Sequence, residues 1–320
     1  MRKAIKGLLI AATVLVLIGV LILVGVIAKN HWDFTSFSSA DYETQAYEIH
    51  EDFENISIAS DTADLQLLPS EDGICRVIVY DLTNVARDVS VQEGTLTIET
   101  QDTRNWYERI AFSFDASKIT VYLPQSDYAA LMIEDSTGEI TIPKDFSFAS
   151  IRISADTGSV ACDASASGAV QIATDTGNIC VENVSAGELT LAVSTGKVEV
   201  RSAVCEGAVD VTVSTGRAIL ADISCKSFRS EGDTGELLME HVIVAEQILI
   251  ARSTGDVRLE RCDAAELLVT TDTGDVTGTL LSEKVFITQS NTGSVSVPET
   301  TTGGKCKITT DTGDIRITLQ

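Results

Sequence analysis

The sequence predicts an all-β fold: a right-handed parallel β-solenoid (β-helix) of about 19–20 residues per coil, preceded by one N-terminal transmembrane helix. The main observation is a tripeptide ending in Thr-Gly that occurs ten times, with its glycines at positions 138, 158, 177, 196, 216, 235, 255, 274, 293 and 313. A period this regular is typical of stacked-repeat solenoids. Apolar and polar residues alternate on both sides of each Thr-Gly, as expected for short strands with one buried face.

The predicted transmembrane helix covers residues 8–28, a run of 21 residues without a charge. At about 1.5 Å per residue this run is long enough to cross a bilayer. Three basic residues precede it, which places residues 1–7 in the cytoplasm and the rest of the chain outside. A secretory signal usually has a shorter apolar region, so we interpret the run as a retained anchor. Cleavage after Ala28, which follows a small-residue pattern, stays open.

Residues 29–46 are polar and aromatic and are predicted to form a juxtamembrane stalk. Its Trp32, Phe34 and Phe37 would lie at the membrane interface or pack on the first coil. Residues 47–130 lack the Thr-Gly turn and are predicted to form irregular wide coils that cap the solenoid, because terminal repeats are usually atypical.

One segment of this cap already follows the repeat. Ile56 and Ile58 precede Ala63, and Leu65 and Leu67 follow it, at the spacings that apolar residues keep from glycine in later coils. We therefore expect a degenerate first coil in which Ala63 replaces the glycine. Further strands are expected at residues 76–80, 95–99 and 118–123.

Residues 131–320 are predicted to form the regular repeats, each with two short strands flanking a tight turn and a second, more variable turn. Strands of the same phase should stack in parallel about 4.8 Å apart, and parallel crossovers are nearly always right-handed. The last coil ends at Gln320 without a cap, which would expose unpaired backbone groups. We expect this C-terminal rung to meet another copy of the chain, another partner or a folded-back segment.

The tight turns share a short polar residue, then Thr, then a glycine free to adopt positive φ. We interpret the polar side chains as bonding the nearby backbone, and we expect the threonine hydroxyls to hydrogen-bond along the stack. The structural turn residues are Ser136, Gly138, Asp156, Gly158, Asp175, Gly177, Ser194, Gly196, Ser214, Gly216, Asp233, Gly235, Ser253, Gly255, Asp272, Gly274, Asn291, Gly293, Asp311 and Gly313.

Composition and motifs favour a binding protein over an enzyme. The net charge of −24 argues against nucleic acid as a partner. Asp-Thr-Gly is also the aspartic-protease tripeptide, but here aspartate fills five of ten equivalent turns, which indicates a structural corner. Paired acids beside aromatic platforms, as in glycosidases, are not evident. No catalytic residue, cofactor site or metal site is predicted, since the calcium-binding nonapeptide pattern is also missing.

Seven cysteines are an odd number for a chain placed outside the cytoplasm. Cys162, Cys262 and Cys306 fall on inward phases and are interpreted as small core residues. Cys205 and Cys225 each lie nine residues after a repeat glycine, so they should be neighbours on adjacent coils and are a candidate disulfide.

From about residue 47 to the C-terminus the chain resembles the bacterial putative-adhesin family of β-strand-repeat proteins, formally a domain of unknown function. The resemblance rests on "ENISIASDTADLQLLP", on "GTLTIE" followed by "SKITVYLP", and on the serial "DTG" and "STG" coils. It implies a membrane-anchored or exported envelope protein and carries over no catalytic residues.

We therefore expect a single-pass protein of the cell membrane whose C-terminal domain is extracytoplasmic. Its expected function is that of an adhesin-like or cell-envelope scaffold module that binds an unknown protein or envelope ligand. The alternative is a non-enzymatic envelope-stress sensor or regulatory subunit. Because seven cytoplasmic residues cannot form a signalling domain, such a subunit would act through a partner membrane protein.

Overall fold

The structure is a computed structural model, and it describes residues 12–21, 42–83, 85–101 and 117–320. Residues 12–21 form a helix with exposed apolar side chains, inside the predicted anchor. Among the described residues, no helix is both long enough and apolar enough to cross a membrane. Residues 1–7, the rest of the predicted anchor, and the stalk residues Trp32, Phe34 and Phe37 lie outside the described residues.

All other regular structure in the described residues is β. The strands, which pair into one continuous sheet, are β1 Tyr42–Ile49, β2 Asn55–Pro69, β3 Cys75–Leu82, β4 Ala86–Gln92, β5 Thr95–Gln101, β6 Ser117–Leu123, β7 Asp127–Thr137, β8 Ile140–Ile142, β9 Ser147–Thr157, β10 Val160–Cys162, β11 Ser165–Glu182, β12 Ser185–Cys205, β13 Ala208–Thr234, β14 Leu237–Thr254, β15 Val257–Cys262, β16 Glu266–Thr273, β17 Val276–Leu280, β18 Lys284–Thr292, β19 Val295–Ser296, β20 Gly304–Thr312 and β21 Ile315–Leu319.

The regular coils stack in parallel and in register, as the sequence predicts. From β11 to β13, each Thr-Gly lies beside the next: Gly177 pairs with Gly196, and Gly196 with Gly216. The alternate apolar residues point inward, so that Ile172, Leu191 and the equivalent residues of other coils form one buried core. Such stacking is typical of solenoid proteins, in which each coil buries its apolar side chains against the two neighbouring coils.

Five of the regular coils have a second sharp corner that the sequence does not reveal. Six residues after successive repeat glycines, five residues adopt left-handed φ values between 52° and 56°: Asn183, Ser202, Asp222, His241 and Arg261. Asn and Asp tolerate this conformation, whereas it strains a longer side chain. In these five coils the corner divides the chain between two Thr-Gly turns, which adds a third side to the coil. The prediction of two strands and one variable turn was therefore incomplete.

The N-terminal cap differs from the predicted wide coils. β2 is the first regular coil: it pairs in parallel with β7 and β8, with Ile56 beside Leu131 and Leu65 beside Ile140. This confirms that Ala63 takes the glycine position. On its other side β2 pairs in parallel with β5 and β6. The outermost strands are antiparallel: β4 pairs with β5, β3 with β6, and β1 with β3. Residues 42–46, predicted as stalk, belong to β1.

The C-terminal coils do not stack in chain order. β20 pairs with β16 on one side and with β18 on the other, and β21 lies likewise between β17 and β19. Gly313 accordingly lies between Gly274 and Gly293, and its N–H donates to the Thr292 carbonyl at 2.9 Å. The last coil in the sequence is therefore enclosed. The coil at the end of the stack is instead the one formed by β18 and β19. The prediction that the coil ending at Gln320 is the uncapped one was therefore wrong.

Candidate functional site

The Thr-Gly corners form one straight edge of the solenoid. At this edge the coils approach so closely that a Cβ on Gly196, where φ is 149°, would lie 1.7 Å from the Gly177 carbonyl oxygen. The residue two positions before each glycine is exposed or half-buried. These side chains contact one another between coils, as where Asn291 Nδ2 donates to Asp311 Oδ1 at 2.9 Å.

At four of the turns, the residue after the repeat glycine is an Asp or Asn that carries a hydrogen bond between successive corners. Its side-chain oxygen accepts the backbone N–H of the equivalent residue in the next coil: Asp256 accepts from Asp275, Asp275 from Asp314, and Asp314 from Ser294, at 2.7–2.9 Å. Asn178 accepts the N–H of Lys197 in the same way. These hydrogen bonds were not predicted from the sequence, because Asp or Asn follows only four of the ten repeat glycines.

The predicted threonine ladder does not form. Across the described coils, no hydrogen bond joins the hydroxyls of successive Thr-Gly threonines. Contact between the coils is made instead by backbone bonds, as from the N–H of Gly158 to the Thr176 carbonyl at 2.9 Å. These threonines therefore stabilise the corner through their preference for extended backbone and through packing, more than through side-chain hydrogen bonds.

An acidic cleft of about 530 Å³ opens where the cap meets the first regular coils. Five carboxylates line it, together with Ser60, Thr100, Ser136 and Ser154. They come from four neighbouring coils and are Asp61, Glu99, Glu134, Asp135 and Asp156. Among the described residues, no group of three or more His, Cys, Asp or Glu side chains is placed to hold a metal ion.

Asp135 is the unusual member of this cleft. Its side chain points inward at the corner, the residue is 5% exposed, and neither carboxylate oxygen has a hydrogen-bond partner. Burial raises the pKa of Asp135 to about 6, against the lowering effects of the nearby Ser60 hydroxyl and the Arg87 charge. The cleft thus holds one carboxyl group whose pKa burial raises toward neutrality.

A buried ion pair supports the floor of the cleft. Arg87 Nη2 lies 2.6 Å from Asp81 Oδ2, and both side chains are almost fully buried. Arg87 also donates to Thr100 Oγ1 at 2.7 Å, and Ser117 Oγ donates to Asp81 at 2.6 Å. This network joins β3, β4, β5 and β6, so it fixes the antiparallel cap strands onto the first coils.

A second cleft, of about 430 Å³, lies at another corner of the cap. Phe53 stacks on Tyr128 with ring centroids 6.0 Å apart, and Tyr128 contacts Phe148 at 5.7 Å. The Tyr128 hydroxyl donates to the Pro124 carbonyl at 2.7 Å, so its polar end is occupied. The exposed wall of this cleft includes His50 and Glu51. Its mixed apolar and polar lining is typical of a small binding surface.

Six of the seven cysteines are buried, and Cys180 is partly exposed. Cys162, Cys262 and Cys306 lie in the core, at their predicted inward phases. Cys205 and Cys225 are buried on adjacent coils, next to the paired residues Val204 and Ser224. Their disulfide stays a prediction.

The comparisons with known proteins agree with this architecture. The Toastrack DUF4097 family model matches residues 53–217 and 207–320. The solved structure of a protein named putative adhesin from Parabacteroides merdae is 13% identical, with a TM-score of 0.51 over 88% of this chain and 98% of that one. No curated protein matches the sequence.

Two further solved structures are similar at lower TM-scores. One, named putative lipid binding protein, is from Parabacteroides distasonis and is 14% identical, with a TM-score of 0.48 over 88% of this chain and 98% of that one. The other, named putative adhesin, is from Bacteroides fragilis and is 13% identical, with a TM-score of 0.44 over 88% of this chain and 99% of that one. At such identities the likeness concerns the fold alone.

Proposed function

Because the chain belongs to the Toastrack DUF4097 family, we propose that it is a membrane-anchored, extracytoplasmic, right-handed β-solenoid that acts without catalysis. Its role is that of an adhesin-like or cell-envelope scaffold module that binds an envelope ligand or protein. The observation that carries this proposal is the in-register stacking of the coils. Stacking at about 4.8 Å holds rows of exposed side chains at fixed spacing, which suits a rigid display surface.

The surfaces that such a module would use are at its cap. The acidic cleft and the aromatic cleft both lie at the cap end of the solenoid. With residues 8–28 as the anchor, the cap would face the membrane and the coil of β18 and β19 would be the distal end. An overall charge of −24 favours a cationic ligand over an anionic surface.

Deletion of residues 2–28 tests this function. An adhesin-like domain presented on the cell surface by a foreign anchor should retain attachment to its protein or envelope ligand. A sensor that acts through a partner membrane protein should lose its effect, because its contact within the membrane is gone. Retained attachment supports the module, and its loss together with a lost stress response supports the regulatory alternative.

The anchor itself is tested separately. Full-length protein carrying a C-terminal epitope should sediment with membranes, resist alkaline extraction and be digested by protease added to intact cells. The variant without residues 2–28 should be found in the soluble fraction. A full-length protein that alkali extracts would contradict the anchor, as would an N-terminus that begins after Ala28 in the mature chain.

A further inference from the structure

The far end of the solenoid is an unprotected sheet edge. β18 and β19 pair only with β20 and β21, so within the described chain nothing pairs with their outer side. One contact covers the start of this edge: the Thr300 hydroxyl donates to the Lys284 carbonyl. β18 has nine residues, and beyond Lys284 alternate residues point their backbone N–H and C=O groups outward. Such groups readily pair with another strand.

Exposed apolar side chains concentrate at the same end. Outside the N-terminal helix, the described residues include seven large hydrophobic side chains that are exposed. Four of the seven lie close together in the sequence at this end: Leu281, Val285, Ile287 and Val295. Phe286 and Val297, which point toward the core, are only partly buried because no further coil covers them. This edge is therefore both unpaired and apolar.

The edge also lacks the charges that usually protect edge strands. Residues 285–298 contain no charged side chain, in a protein whose net charge is −24. The edges at the opposite end differ, since β1 carries Glu43 and Glu48 and β4 carries Asp88. Charged residues on an edge strand prevent association with other sheets. Two copies of this strongly acidic protein would approach with least repulsion through residues 285–298.

We propose that the coil formed by β18 and β19 is a self-association surface, at which β18 pairs antiparallel with β18 of a second copy. A two-fold axis through the middle of the strand uses the same surface on both copies and closes the assembly as a dimer. Head-to-tail stacking is disfavoured, because the cap end carries charged edge strands of different shape. The joined sheet would satisfy the outward backbone groups and bring the two Ile287 side chains together on one face.

Sedimentation velocity on the full-length protein in density-matched detergent tests the dimer. The wild type should sediment as a dimer at micromolar concentration, and Ile287→Lys should weaken association at least about tenfold, because each copy then contributes a positive charge to the joined edge. The matched control is Val204→Lys, at another exposed apolar position on a paired strand, and it should behave as wild type. A monomeric wild type, or equal behaviour of the two variants, would overturn the proposal.

Hydrogen exchange locates the contact. Amides of residues 285–292 should gain protection as protein concentration rises, and this gain should be lost in Ile287→Lys but kept in Val204→Lys. Concentration-dependent protection confined to other strands, or to the anchor, would refute this interface. Ligand attachment by the cap clefts does not depend on this end, so failure of the dimer and failure of the proposed function are distinguishable.

Discussion

Gly232 leaves the space that the guanidinium of Arg252 occupies inside the solenoid. A Cβ on Gly232 would lie 1.8 Å from Arg252 Nη1. Arg252 is 4% exposed and donates from Nη2 to Ser230 Oγ at 2.6 Å, while its Nε has no partner. Burial lowers the pKa of Arg252 to about 10, and no carboxylate offsets that effect. The core thus contains a charge without a counter-ion, which is energetically costly.

Replacement of this arginine should not destabilise the protein. Arg252→Met removes the desolvated charge and keeps an apolar stem of similar length, at the cost of one hydrogen bond to Ser230. We expect a change between zero and a gain of about 3 kcal/mol in the free energy of unfolding, measured by denaturant titration. The control Arg258→Met, at an exposed position, should change stability by less than about 1 kcal/mol. A loss of more than about 2 kcal/mol in Arg252→Met would contradict this account.

The repeat glycines should be far less tolerant than a loop glycine. Gly196→Ala would place a methyl group 1.7 Å from the Gly177 carbonyl, which the backbone of the neighbouring coil cannot avoid. We expect a loss of at least about 2–3 kcal/mol. Gly73→Ala is the matched control, because its φ of 75° is also positive but no atom lies within 4 Å of the added Cβ. Its cost should be about 1 kcal/mol from backbone strain alone, and thermal melts that show equal losses would refute the steric argument.

Asp135 should make stability fall as pH rises toward neutrality. Its pKa is raised from 3.8 to about 6 in the folded state, chiefly by burial. The folded protein therefore binds this proton more tightly than the unfolded chain, and the stabilisation is complete below about pH 4 and lost as pH passes through about 6. Asp135→Asn cannot ionise, so at about pH 7.5 it should be more stable than wild type by on the order of 2 kcal/mol.

At about pH 4 the difference between Asp135→Asn and wild type should be small, as measured by urea midpoints at the two pH values. Asp156→Asn is the matched control, since Asp156 lines the same cleft but is exposed. It should not reproduce the pH-dependent gain. A gain of equal size at both pH values would show that the effect of Asp135 is not one of ionisation.

The thiols should react in two classes. Burial raises the pKa of every thiol, for example that of Cys162 to about 12, but only Cys180 is partly exposed. Because the reagent must reach the sulfur to react with its thiolate, native protein should take up one maleimide per chain and Cys180→Ser none. Denatured, unreduced protein should take up seven, or five if Cys205 and Cys225 form the predicted disulfide, and intact mass before and after reduction distinguishes these cases. Rapid labelling of several thiols in the native state would contradict the buried core.

The parallel stack was predictable because the Thr-Gly turn fixes the phase of every strand. Alternation around Gly177 and Gly196 assigned the inward residues, and even the degenerate coil at Ala63 was placed in register. The left-handed corner was not predictable, since positions such as Ser202 and Arg261 carry no glycine and share no residue type. Tertiary packing imposes that conformation against local preference.

The candidate sites were predictable only in part. The sequence indicated an irregular N-terminal cap but not the contact of Phe53 with Tyr128, because those residues are far apart in the sequence and meet only through the fold. The isolation of Asp135 likewise depends on its neighbours in three dimensions. The position of the open rung was predicted wrongly because repeat spacing defines each coil but not the order in which coils stack.

The exchange of coil order at the C-terminal end has a consequence for how the chain is completed. Residues 284–296 have no strand to pair with until residues 304–319 have been synthesised and inserted beside β16 and β17. In the final arrangement, β18 and β19 can therefore join the sheet only once β20 and β21 are in place. Loss of β20 and β21 would remove one coil and leave β18 and β19 without a strand to pair with. The strands β20 and β21 therefore hold the terminal coil on the solenoid.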